Sequence, residues 1–216
     1  MRAKTILLSL IIALPACIHV LADVDADEDV SFRLDDFGTT CTGTGMAQTD
    51  TSLTTWTKTP VDDQCQIDVQ WTGTLIDMKA VRAQADAKAQ GAQLTIQNID
   101  LAFDDVALLD DTGANITPPR VPAWEAHFTL SGQPIADFSG TDLTSPLASP
   151  LSFDLPAPAV DIANQAFESA TPLTGAATAR LVLQMSDLPA LAAATGPHVQ
   201  FHFKAHVEAD AKKDLL

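Results

Sequence analysis

Apolar and polar residues alternate through much of this chain. Cys65, Ile67, Val69 and Trp71 alternate with Gln66, Asp68 and Gln70, the period-two pattern of a half-buried strand with Cys65 pointing inward. Trp124, Ala126, Phe128 and Leu130 repeat it against Glu125, His127 and Thr129. Ser131-Gly132 then predicts a turn, with Ile135 to Phe138 returning as the second arm of a hairpin. Leu151 to Leu155, Ala179 to Met185 and, most clearly, Val199 to Val207 are further strands on the same criterion. The run Leu94 to Leu109 alternates too, but its phase slips between Ile96 and Ile99, which predicts a bulge or bend at Asn98.

Helical signals are fewer. Asp77 is an N-cap for Met78 to Gln90, whose narrow stripe of Met78, Val81, Ala85 and Ala89 suggests a helix lying outside the sheets. A second helix is expected from Pro158 to about Ala170, and a helical turn from Asp187 to Gly196. The Thr-rich stretch Thr39 to Thr59 has no clear strand run and is expected as a loop. Strands at this spacing, with helices confined to connections, predict a single antiparallel β-sandwich, immunoglobulin-like in the broad sense, over residues 31–212.

The N-terminus adds a destination. Basic Met1-Arg2-Ala3-Lys4 precedes the apolar run Thr5 to Leu14, which is the length of a cleavable signal and too short for an anchor. Cleavage after Ala22 is expected, removing residues 1–22 and leaving an acidic, solvated tether at 23–30. The alternative is lipidation of Cys17, since Leu14-Pro15-Ala16-Cys17 resembles a bacterial lipobox; only then would the mature chain be held at a membrane. The expected location is periplasmic, outer-envelope or secreted. Removal of Cys17 leaves Cys41 and Cys65, an even pair in an oxidising compartment and hence a disulfide.

Charge narrows the partners. The chain has 12 Lys+Arg against 28 Asp+Glu, a formal net charge of −16. Such a surface repels phosphate backbones, so no nucleic acid is expected as a partner. A protein or small-molecule ligand is left, of unknown identity.

No motif supplies chemistry. His198, His202 and His206 are spaced by four, but on a strand that separates neighbours by about 13 Å. They cannot chelate one ion together, and His127 with Glu125 is the only His-bearing neighbour the sequence offers as help. Asp25, Asp27, Asp29 and Asp36 imitate a calcium loop, yet Val30 stands where the sharp turn needs glycine. Gly43-Thr44-Gly45 is a fragment of a phosphate loop without the Lys-Ser/Thr pair. Asp35-Asp36, Asp62-Asp63, Asp104-Asp105 and Asp110-Asp111 are turn acids or lining for a sandwich-end cleft. Trp56, Trp71 and Trp124 are read as core rather than as a sugar platform. The expectation is no cofactor, no catalytic residue and no tight metal site, in an exported module that binds through its loops. The competing expectation is a hydrolase using acids in a sandwich-end cleft, with or without calcium.

Overall fold

The computed structural model describes residues 18–89, 93–116, 121, 123–141, 143 and 151–213. The strands are β1 (Ile18–Arg33), β2 (Gly43–Gln48), β3 (Ser52–Val61), β4 (Gln64–Ile76), β5 (Gln93–Leu109), β6 (Ala123–Leu130), β7 (Gln133–Gly140), β8 (Leu151–Asp154), β9 (Leu173–Gln184) and β10 (His198–Lys213). They form a four-stranded sheet in the order β1-β10-β5-β8 and a six-stranded sheet in the order β2-β3-β4-β9-β6-β7. Every pairing is antiparallel. This is the expected β-sandwich, with helices α1 (Met78–Ala89), α2 (Ala157–Ser169) and α3 (Leu188–Ala193) between strands.

The alternation read from the sequence sets the core. Phe201 and Phe203 are buried while the intervening His202 is partly exposed. Aromatic rings from both sheets meet there. Phe32 of β1 lies 5.1 Å from Phe201 of β10, and Phe128 of β6 reaches across to the same ring at 5.4 Å. Phe103 of β5 meets Phe138 of β7 at 4.4 Å. Such tilted ring pairs add to the burial that holds two sheets together. The predicted bulge is present: Glu208 pairs with Asn98 but Ala209 with Ile96, leaving Gln97 as the extra residue.

Helix α1 begins as its sequence predicts. Asp77 Oδ1 accepts hydrogen bonds from the amides of Lys79 (3.0 Å) and Ala80 (3.3 Å), while Glu28 Oε1 accepts one from Asp77 N–H at 2.9 Å. Its stripe is no outside feature, however: Met78, Val81 and Ala85 are fully buried and belong to the main core. These three side chains supply the core contact of α1, which packs against β1 and α2. Helix α2 in turn is tied to β5. Asn164 Oδ1 accepts from Ile96 N–H at 2.7 Å, and its Nδ2 donates to Ile96 O at 2.9 Å. The short strand β8 covers β5 only from Asp100 to Phe103, so Asn164 satisfies main-chain groups on β5 beyond it.

Two expectations are corrected. Asp23 to Val30 is no tether but the middle of β1, paired from Asp23↔Glu208 to Val30↔Phe201. Its acids do meet solvent, because Asp23, Asp25, Asp27 and Asp29 occupy the outward phase while Val24 and Val30 are buried. The Thr39 to Thr59 stretch is likewise largely strand, containing β2 and most of β3. In β3 the inward phase is Thr54, Trp56 and Lys58, so one aromatic residue was that strand's whole apolar signal in the stretch. Lys58 is accommodated by lying over the Phe37 ring at 4.4 Å and donating to Phe37 O.

Candidate binding face and sandwich-end cleft

Cys41 and Cys65 form the expected disulfide, with Cα atoms 5.5 Å apart, and both are buried. The bond ties the turn region after β1 to the start of β4. Cys17 and the rest of residues 1–17 lie outside the described residues.

A cleft of about 690 Å³ opens at one end of the sandwich, lined by Arg33, Asp35, Asp36, Asp111 and the Gly196-Pro197 turn among others. Two of its acids, Asp35 and Asp111, converge on a cation. Arg33 Nη2 stands 3.1 Å from Asp35 Oδ1 and 3.0 Å from Asp111 Oδ1, and Arg33 Nε donates to Asp35 Oδ2 at 3.3 Å. The hydrogen bonds it donates to Asp35 and Asp111 hold the guanidinium charged more firmly than usual, against the opposing effect of burial. Among the described residues that line the cleft there is no histidine. Asp110 beside it accepts from Thr112 Oγ1 (2.6 Å), Thr112 N–H (2.8 Å) and Ala114 N–H (3.0 Å), which makes it a turn-forming acid. Those bonds, the threonine hydroxyl first, hold its carboxyl below the ordinary range.

The other acidic pairs divide. Asp62-Asp63 forms the β3–β4 hairpin turn, with Asp62 at φ 55°. Asp104-Asp105 is not in a loop but inside β5, at its second irregularity, where His202 pairs with Asp105 and Phe203 with Phe103. Trp56, Trp71 and Trp124 are all buried, Trp71 and Trp124 as read from their phase. Gly43-Thr44-Gly45 opens β2 and precedes no helix.

The histidines gather on a different surface, the outer face of the four-stranded sheet. His202 Nδ1 lies 2.9 Å from Asp29 Oδ1, and His206 Nδ1 lies 2.7 Å from Asp25 Oδ1. Both are directly opposed pairs across β1 and β10. His198, nearly buried, bonds instead to Gly196 O at 3.0 Å. The hydrogen bond to Asp25, helped by the charges of Asp25, Asp23 and Glu208, raises the His206 pKa above the ordinary imidazole value despite partial burial. At the far side of this face Asp154 of β8 is raised by its hydrogen bond to Asp100 of β5 and by that group's charge. Asn98 Nδ2 donates to Asp100 Oδ1 at 3.0 Å.

The neighbour that the sequence offered to these histidines is not there. His127 and Glu125 lie on β6, in the other sheet, where His127 pairs with Asp137 (2.8 Å) and Glu125 with Arg180 (3.3 Å). What sequence reasoning missed is that β1 supplies the partners. Asp23, His206 and Glu208 each place one ligand atom within 4.8 Å of the others. The signal was available in the chain: Asp23, Asp25, Asp27 and Asp29 alternate with the same period as His202, Lys204, His206 and Glu208.

Among the described residues no helix is long and apolar enough to cross a membrane. No protein-family model and no curated protein matches this chain.

Proposed function

We propose that this protein is an exported, non-catalytic β-sandwich module whose binding surface is the acidic, histidine-bearing face of its four-stranded sheet. The observation that carries the reading is how the carboxylates are used. In the cleft Asp35 and Asp111 are neutralised by Arg33, on the sheet Asp25 and Asp29 are each paired with a histidine, and the Asp100–Asp154 pair lies on the open sheet face with Asp154 exposed. A hydrolytic pair needs two carboxyls, or a carboxyl and a histidine, converging on one substrate position with their proton affinities set apart. Such a pair is not what Arg33, Asp35 and Asp111 make. A surface with this charge is suited to a cationic ligand, and the disulfide fits an oxidising compartment.

The test is turnover. The exported chain, with and without calcium, is assayed on ester, phosphoester, glycoside and peptide substrates beside an Asp35→Asn/Asp111→Asn variant. We expect no activity that the variant removes. Turnover abolished by that double substitution would establish the hydrolase reading instead.

A further inference from the structure

We propose that Asp23, His206 and Glu208 form a site for one zinc-class divalent metal ion, with Asp25 as the residue that orients the histidine. Two directly opposed pairs, Asp23↔Glu208 and Asp25↔His206, sit side by side on the antiparallel ladder of β1 and β10 and make a four-cornered group on one face. The corners are chemically distinct. Asp25 Oδ1 takes the Nδ1 side of the imidazole at 2.7 Å, so in the neutral ring the proton stays there and Nε2 presents its lone pair. That nitrogen faces Glu208 Oε1 at 3.9 Å. A carboxylate behind a ligating histidine fixes the tautomer and ring orientation and strengthens the ligand.

Distance and donor type select the ion. Bonds of about 2.0–2.2 Å to nitrogen and oxygen require ligand atoms roughly 4 Å apart or closer. The three atoms already lie within 4.8 Å, and Asp23 and Glu208 are exposed enough for their side chains to close the remainder. One imidazole with two carboxylates suits zinc and its neighbours, whereas calcium takes six to eight oxygens. Lys88 of α1 donates to the carbonyl oxygen of Asp23 and so leaves the Asp23 carboxylate unengaged by that bond.

The second histidine of the face shows why the site is at His206. His202 Nδ1 is held by Asp29 in the same way, and its Nε2 faces Asp104 at 3.8 Å and Asp27 at 4.0 Å. There Lys204 Nζ stands 3.4 Å from Asp104, so its ammonium competes with an ion for that carboxylate. Both proposed processing routes retain the Asp23 carboxylate, and cleavage after Ala22 adds an α-amino group to Asp23 that, unlike the Lys204 ammonium, gives up its proton at about pH 8 and can then ligate.

The inference deepens the binding-module reading by naming a ligand for the same face, and its test is separate. Tag-free, EDTA-treated chain is titrated with zinc chloride by calorimetry at pH 7.5. Saturable binding of one ion is expected, weakened at least about tenfold in His206→Ala and about tenfold in Asp25→Asn. His202→Ala is expected to leave it unchanged. No saturable binding, binding unaffected by His206→Ala, or equal loss in His202→Ala would each overturn the proposal. These are surface substitutions, and a cooperative thermal transition retained in each variant, with its midpoint well above the titration temperature, ties the readout to the site. Failure here leaves the outcome of the turnover assay untouched, and turnover lost in Asp35→Asn/Asp111→Asn leaves the zinc isotherm untouched.

Discussion

The Trp56 ring lies directly over Gly45, its cross-strand partner on the edge strand β2, so closely that a Cβ at Gly45 would fall 2.0 Å from Trp56 Cζ2. The same arrangement recurs at the opposite edge of the sheet. Trp124 of β6 is paired with Gly140 of the edge strand β7, where a Cβ would meet the indole nitrogen at 2.9 Å. A glycine in a strand offers no side chain to pack, and an aromatic ring folded across it supplies the missing cover. A glycine on each edge strand of the six-stranded sheet is covered in this way.

Gly45→Ala should therefore destabilise the protein by about 2 kcal/mol, the ordinary cost of forcing atoms into a filled space. Thr44→Ala, on the exposed neighbour, should change stability by less than about 0.5 kcal/mol. Urea denaturation of the two variants beside the parent chain measures both. Equal midpoints for all three would show that Trp56 swings away freely, which its packing against Phe37 at 5.4 Å opposes.

The tryptophans also show what the sequence makes legible. Trp71 and Trp124 sit in clean alternating runs, so their burial and strand phase could be read directly. Trp56 could not be placed on a strand, because its inward neighbours are Thr54 and Lys58 rather than apolar residues. The error over Asp23 to Val30 has the opposite origin. The alternation was present in Val24, Ala26, Val30 and Phe32, but the density of acids suggested a solvated segment. Composition describes the side chains on one face only, and the backbone pairing follows the other. The candidate site was hidden for a further reason. His206 and Glu208 are near in sequence, but Asp23 and Asp25 join them only through a register spanning almost the whole chain.

The Cys41–Cys65 bond closes a loop with a sequence separation of 24. In the chain-entropy model such a crosslink stabilises by about 3 kcal/mol. A Cys41→Ala/Cys65→Ala variant should lose about that amount in urea denaturation, and dithiothreitol should lower the parent chain's midpoint but not the variant's. A reductant effect of the same size on both would mean that the bond is not the source of the stability.

His206 gives a dependence on pH with a definite sign. Its folded pKa is raised, first by the hydrogen bond to Asp25 and then by the charges of Asp25, Asp23 and Glu208. Asp100, its partner on β5, faces it from the other side. A histidine raised on folding contributes stability that is fully present below its unfolded value of about 6.5 and is lost as pH rises through the folded value. In EDTA, the stability difference between the parent chain and Asp25→Asn should be largest at mildly acidic pH and should shrink at pH above the raised value. Denaturation midpoints from pH 5.5 to 9 give the comparison. A difference that grows with pH would reverse the sign and show that the pair does not hold the proton.

Processing of the N-terminus can be read from the edge of β10. Residues Ile18 to Ala22 pair with Ala209 to Lys213, from Ile18↔Lys213 to Ala22↔Ala209. Cleavage after Ala22, the route we propose, removes the whole of that partner segment while sparing every pair from Asp23 onward. Lipidation of Cys17 preserves it, because the mature chain then begins one residue before β1. The two routes differ first in mass: recovered protein should lack 22 residues and two protons, whereas the alternative retains Cys17 with a diacylglyceryl group. They differ also in the sheet. Main-chain amides on β10 that lose their β1 partner open to solvent without global unfolding, so hydrogen exchange reports the loss locally. In protein cleaved after Ala22, amides of Ala209 to Lys213 that point towards β1 should exchange quickly while those of Phe201 to Val207 remain protected. Slow exchange through Lys213 together with a lipid mass on Cys17 would overturn the proposed cleavage, and a recovered chain still carrying Met1 would overturn processing by either route.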